Sequence, residues 1–183
     1  MKVNYLILLF ICGSFLFSQN RLPVPKDYKL YTEFISYKKF KYLKKESIST
    51  GYIAMNGKDK FIYKQLAPFV IEIRKKDNNL YYKRENMNEI IIDITNSSQF
   101  DIAIFFNLDD KEFNENFVIT KNKINNTDHY NIIPKNNSYV TNITAKGNDY
   151  KLEELTIFYK DGSFLRYEFK NTKTGMDIDS NLF

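Results

Sequence analysis

The chain has 183 residues, 43% of them hydrophobic and 16% aromatic, and 27 basic residues against 22 acidic ones give a net charge of +5. That length suits a single domain with its own core. The mild positive balance is spread out, as at Lys38, Lys39, Lys41, Lys44 and Lys45, and lacks the concentrated stripe of a nucleic-acid binder, so these lysines read as solvated surface groups.

Residues 1–19 read as a signal peptide. Lys2 gives a basic start, and Tyr5 to Phe17 is apolar apart from Cys12, Gly13 and Ser14. The run is shorter than the roughly 20 residues that span a bilayer, and polar Ser18, Gln19 and Asn20 follow. Cleavage is expected after Ser18 or Gln19. Cys12 is the one cysteine. It follows Ile11 rather than a small residue, and the apolar run continues past it, so it reads as part of the leader and not as a lipidation site. The exported chain, 20–183, then holds no disulfide and no thiolate nucleophile.

Two prolines hold residues 20–26 extended. Asp27 then fits a helix N-cap, and Leu30, Tyr31, Phe34 and Ile35 recur at helical spacing, which predicts an amphipathic helix over 28–37. From Phe40 the period changes to two. Ile53 and Met55 lead to a turn at Asn56–Asp59, and Phe61 and Tyr63 follow. Pro68 opens a strand with Phe69, Ile71 and Ile73. Asp77–Asn79 turns into Leu80, Tyr81 and Tyr82, and Asn86–Asn88 into Ile90, Ile92 and Ile94.

The stretch Ser97–Phe113 spaces Phe100, Ile104 and Leu108 by four, which predicts one or two short helices. Strands resume at 117–120, 129–133 and 139–145. A hairpin follows, with Leu155, Ile157 and Tyr159 before Lys160–Ser163 and Leu165, Tyr167 and Phe169 after it. Asn171–Thr174 leads to a last strand through Met176 and Ile178. Alternation throughout predicts a mainly β domain: a single, strongly curved, unclosed antiparallel barrel whose hydrophobic concave face is capped by short helices.

Catalytic signals are weak. His129 is the one histidine, set in a strand directly after Asp128, with no nucleophile and acid placed around it. Asp109, Asp110, Glu112 and Glu115 cluster without the spacing of a calcium loop, and Glu153 and Glu154 point to opposite faces of a strand. Six scattered glycines make no phosphate loop. No enzyme activity, metal or cofactor is expected.

The order of elements resembles the periplasmic carriers of outer-membrane lipoproteins, the LolA family. The resemblance runs through Gly51–Met55, Lys60–Tyr63, Pro68, Val70–Ile73, Leu80–Tyr82, His129–Lys135, Leu155–Phe158, Asp161–Gly162, Leu165, Phe169 and Gly175. It implies an unclosed barrel that takes acyl chains from an inner-membrane lipoprotein-releasing transporter and hands them to an outer-membrane acceptor. A monomeric periplasmic chaperone is implied, whose partners are acylated lipoproteins or lipids, with no nucleic acid. By alternation, the cavity would be lined by Ile53, Met55, Phe61, Tyr63, Leu80, Tyr82, Ile90, Ile92, Ile157, Tyr159, Leu165 and Tyr167. The resemblance places the lid at Phe100, Ile104, Phe105 and Leu108. The family's Arg-Pro after its first long strand is replaced here by Gly57 and Lys58, which implies a lid without the arginine clasp. Two alternatives stay open: a membrane-anchored acceptor of the same fold, lipidated at Cys12, and an envelope structural or adhesive domain with a filled core.

Overall fold

A computed structural model describes residues 29–76, 79–92, 102–108, 110–136, 138–148 and 151–183. The expected leader, the Asp27 cap, Asp77, Ile94 and Phe100 lie outside these residues. Eleven antiparallel strands form one sheet: β1 (Lys29–Lys39), β2 (Ser47–Asn56), β3 (Phe61–Ala67), β4 (Ile71–Lys76), β5 (Asn79–Arg84), β6 (Ile90–Ile92), β7 (Phe117–Ile124), β8 (Thr127–Pro134), β9 (Val140–Asn148), β10 (Lys151–Tyr159) and β11 (Phe164–Thr174). Two short helices, α1 (Ile102–Asn107) and α2 (Asp110–Asn116), separate β6 from β7, and a 3-10 turn (Ser180–Leu182) ends the chain.

The spatial order is β6-β5-β4-β3-β2-β1-β11-β10-β9-β8-β7. Each half is a meander of sequential neighbours, and the pairing of β1 with β11 joins the halves. The two outer edges, β6 and β7, are consecutive in the chain. The segment between them carries both helices, so the cover of the concave face is also the connection between the edges. The sheet is curved and unclosed, as the alternation predicts.

The expected N-terminal helix is a strand. Leu30, Thr32, Phe34 and Ser36 are the buried residues of β1, a strict period of two. Two of the four are polar, and this hid the alternation from a reading based on apolar spacing. Tyr31 and Ile35, the other members of the supposed helical stripe, lie on the outer face. Both strand neighbours of β1 hold it in place, which outweighs a local helical pattern. Both capping helices therefore come from the middle of the chain.

The expected last strand through Met176 and Ile178 does not form, and Asn171–Thr174 is not a turn. These residues continue β11. Asn171 takes a positive φ of 53° where the β1–β11 register shifts between Tyr31 and Glu33, which is the signature of a bulge. After Gly175 (φ 70°) the chain turns away from the sheet. Asp177 pairs with Lys29, and Ile178 packs on the outer face with Ala54 and Ile62.

The hairpins show why the turns sit where they do. Asn125 and Asn126 both have positive φ between the paired Ile124 and Thr127, the geometry of a two-residue primed turn that asparagine tolerates. Gly51 makes room for a neighbour. A Cβ there would stand 2.0 Å from the Lys64 carbonyl oxygen and 2.7 Å from the Phe34 ring.

Candidate ligand-binding face and its cover

Strand register decides which side chains share the concave face. Ile53 lies opposite Tyr63, Met55 opposite Phe61, Leu80 opposite Ile92, Tyr82 opposite Ile90, and Ile157 opposite Leu165. Leu30 and Phe34 of β1 face the same way, with Tyr167 and Phe169 of β11 and Tyr130 and Ile132 of β8. One continuous apolar cluster results. It holds Ile53, Met55, Phe61, Tyr63, Leu80, Ile157 and Tyr167 buried, with Tyr82, Ile92, Tyr159 and Leu165 packed at its margin. Ile90 shares the face by register but is 54% exposed, at a three-residue strand with no further strand beyond it among the described residues.

An unbroken run of aromatic rings crosses from sheet to cover. Tyr63 stacks on Phe34 (5.0 Å), Phe34 meets Tyr167 edge-on (5.4 Å), and Tyr167 stacks on Phe169 (6.0 Å). Phe169 then meets Phe106 of α1 (6.4 Å), and Phe106 meets Phe105 (5.9 Å). Phe105 meets Phe113 of α2 (5.3 Å), and Phe113 meets Phe117 at the start of β7 (4.8 Å). Such pairs contribute about 0.5–1.5 kcal/mol each beyond area burial. The helices are thus pressed into the concavity, with Phe105 and Phe106 each 2% exposed.

Of the four expected lid residues, Phe105 is buried against the cluster and Leu108 is packed at its margin. Phe100 and the side chain of Ile104 lie outside the described residues. Phe106 and Phe113 carry more of the contact than sequence spacing assigned to them. Their signal was present as a run of aromatics, but a spacing of four starting from Phe100 passed over both. Phe34 was missed as a member of the face for the same reason as β1, because the supposed helix removed it from the sheet, whereas Phe169 continues the alternation of Leu165 and Tyr167 and that signal was not followed to its end.

The β2–β3 turn at Gly57 and Lys58 sits beside this cover. A cleft of ≈150 Å³ between the β2–β3 turn and the helices is lined by Met55, Lys58, Lys75, Phe106, Leu108 and Glu112. Lys75 Nζ donates to the Lys58 carbonyl (2.8 Å). Lys58, Lys75 and the Glu112 residue of α2 therefore border one cleft beside the cover. Gly57 itself has a φ of 78°, which strains any side chain placed there.

Polar groups mark one end of the face. Lys121 lies opposite Tyr130 in the β7–β8 register and pairs with Asp128 at 2.8 Å. The hydrogen bond to Asp128 holds the Lys121 ammonium above its ordinary pKa, while burial pushes the Tyr130 hydroxyl up and Lys121 partly offsets that. His129 points the other way. It lines an outer cleft of ≈540 Å³ with Asn131, Lys146, Thr156, Phe158 and Arg166. Asp128 and His129 consequently face opposite sides of the sheet. Among the described residues, no three of His, Cys, Asp and Glu come together as a metal site.

No known family model matches this sequence, and no curated protein matches it. Solved structures do. A putative outer membrane lipoprotein-sorting protein domain from Vibrio parahaemolyticus superposes with a TM-score of 0.50 at 8% identity, over 89% of this chain and 92% of that one. A LolA superfamily protein from Nitrosomonas europaea gives 0.48 at 9% identity, over 87% and 91%. A DUF1329 family protein from Desulfovibrio piger gives 0.48 at 11% identity, over 86% and 90%. The fold is LolA-like: an unclosed antiparallel barrel with a helical cover, as the resemblance in the sequence implies.

Proposed function

We propose that this chain is an envelope carrier that holds the acyl chains of lipoproteins or lipids against its concave face and passes them towards the outer membrane. One observation carries the reading. The apolar wall from Ile53 to Tyr167 is covered by a segment that joins the two free edges of the sheet, so the cover can lift without breaking a strand pair. Each acyl CH₂ buried there contributes about 0.8 kcal/mol, set against the burial that the displaced helical aromatics lose. The Lys121–Asp128–Tyr130 group at one end suits the polar head of such a ligand. Binding rather than catalysis is proposed because Asp128 and His129 are split between faces, and the fold alone is silent on chemistry. Export with removal of residues 1–19, an inner-membrane releasing transporter and an outer-membrane acceptor belong to the same proposal.

The test is titration of the protein with a fluorescent fatty acid. Phe61→Glu puts a carboxylate at a site 1% exposed, so Leu165→Glu, at the margin of the same wall, serves as the variant that keeps the core. Both are expected to weaken binding at least about tenfold, the loss of roughly 1.4 kcal/mol. Binding unchanged in both, with the fold intact, removes the concave face as the site. Mass spectrometry of the exported protein distinguishes the carrier, beginning near Gln19 or Asn20, from an acceptor acylated at Cys12.

A further inference from the structure

The hairpin between β1 and β2 reads in the sequence as a solvated lysine cluster, and its structure shows more. Between Lys38 and Lys45 the chain reads Lys-Lys-Phe-Lys-Tyr-Leu-Lys-Lys, with no acidic residue until Glu46. The turn is tight: Leu43 N–H donates to the Phe40 carbonyl at 3.0 Å, which places Lys41 and Tyr42 at the tip. Tyr42 is 86% exposed, Leu43 54% and Phe40 38%. Lys38 Nζ stands 4.8 Å from the Phe40 ring centre and Lys41 Nζ 5.5 Å from that of Tyr42, so cation and ring are presented together. The hairpin is braced from behind, where the Lys41 stem lies 3.4 Å from the point a Gly162 Cβ would occupy.

The same end of the sheet carries a second exposed apolar group, Leu66 at the end of β3 with Phe69 and Val70 in the β3–β4 connection, and the Arg84 guanidinium stands 4.2 Å from the Phe69 ring centre. A core has no use for these residues, and water disfavours them. Their shape decides the partner. A groove would suit a peptide, whereas this is a convex tip whose aromatic and aliphatic side chains project between lysines. Aromatic rings of this kind sit at the headgroup level of a bilayer, and clustered lysines are drawn to anionic lipid. We propose that the β1–β2 hairpin docks the protein on an anionic phospholipid surface, Phe40, Tyr42 and Leu43 entering the headgroup layer while the five lysines meet phosphate. The inference stands independently of what the concave face holds.

The chain contains no tryptophan, so Tyr42→Trp makes a local reporter in the full-length protein. Locality is needed because the Tyr5–Phe17 run can meet vesicles by itself. Lys123→Trp, at the β7–β8 turn on the opposite end of the sheet, is the control. With phosphatidylglycerol vesicles the indole emission of the Tyr42→Trp variant is expected to shift blue, to lose that shift as salt is added, and to lose it when Lys44→Glu and Lys45→Glu are combined with it. The control is expected to stay unshifted. No shift at position 42 overturns the proposal, as does an equal shift at both positions. A shift as large with phosphatidylcholine vesicles, or with soluble polyglutamate, also overturns it, since the first needs no charge and the second no bilayer.

Discussion

Lys135 ties the end of β8 to the end of α2. Its Nζ donates to the Asn114 carbonyl at 2.6 Å, and its backbone N–H donates to the Asn116 carbonyl at 2.8 Å. The last carbonyls of a helix lack partners within it, and a cation there is favourable. This lysine holds the helical cover by the last turn of α2. Lys135→Met keeps the backbone bond and removes the side-chain one. Hydrogen exchange across 110–116 is expected to quicken about 2–5-fold, in line with a surface bond worth up to about 1 kcal/mol. Unchanged exchange would show the cover to be held elsewhere.

Gly51 is expected to resist substitution. A Cβ there would press on the Lys64 carbonyl and on the Phe34 ring that stacks on Tyr63. Gly51→Ala forces the β2–β3 pairing or the ring to move, with a loss of about 1–3 kcal/mol, visible as a fall in the midpoint of urea unfolding. An unchanged midpoint would mean that the strands part at no cost.

Phe106 decides between cover and fixed core. It is 2% exposed and meets both Phe105 and Phe169. Phe106→Ala removes a ring that fills the concavity, so the empty protein is expected to lose about 3 kcal/mol or more of stability. Under the carrier proposal the same change raises the share of molecules in an open state, and the apparent affinity for a fluorescent fatty acid rises with that share. A fall in stability with no gain in affinity would mark α1 as permanent core and count against a lid.

Asp161 carries the clearest pH signature. Its carboxylate accepts from the Ser163 hydroxyl, the Tyr139 hydroxyl and the Ser163 backbone N–H, and these hold its pKa down from 3.8 to about 2. A depressed carboxylate stabilises the folded form fully above the unfolded value, and the gain fades as pH falls through the folded one. The β10–β11 turn should therefore keep its geometry down to pH 3.8 and loosen between there and about 2. The Ser163 amide shift, followed by NMR, should titrate near the lower value, and Tyr139→Phe should move that midpoint upward. A midpoint at 3.8 in the unaltered protein would remove the hydrogen-bonded account.

Much of the architecture was legible because alternation is a direct image of a half-buried strand. Ile53 with Met55, Leu155 with Ile157, and Leu165 with Tyr167 all face inward as their spacing implies. The reading failed where polar residues took inward positions. Thr32 sits inside with its hydroxyl 2.8 Å from that of Thr172, and Ser36 is buried further along the same face of β1, so neither counted as a core residue. It failed again at Asn171, where a bulge uses the same asparagine that a turn would. The helical cover was found as a segment, but the rings that seat it were not, because Phe106 and Phe113 take their roles from Phe169 and Phe117, which spacing within the segment cannot reveal. The lysine hairpin was visible as composition, and its meaning depended on exposure.

The pairing of β1 with β11 also governs when the molecule can become itself. Within each half, every strand pairs with its neighbour in the chain, a local and rapid event. The seam between the halves brings together groups such as Thr32 and Thr172, 140 positions apart along the chain, and closing so long a loop carries the largest entropy cost in the fold. Until β11 has been made, β1 is a bare edge, and the wall formed by Phe34 and Phe169 does not exist. A growing polypeptide therefore holds two separate ribbons until β11 arrives, and the concave face is complete only when the seam has closed.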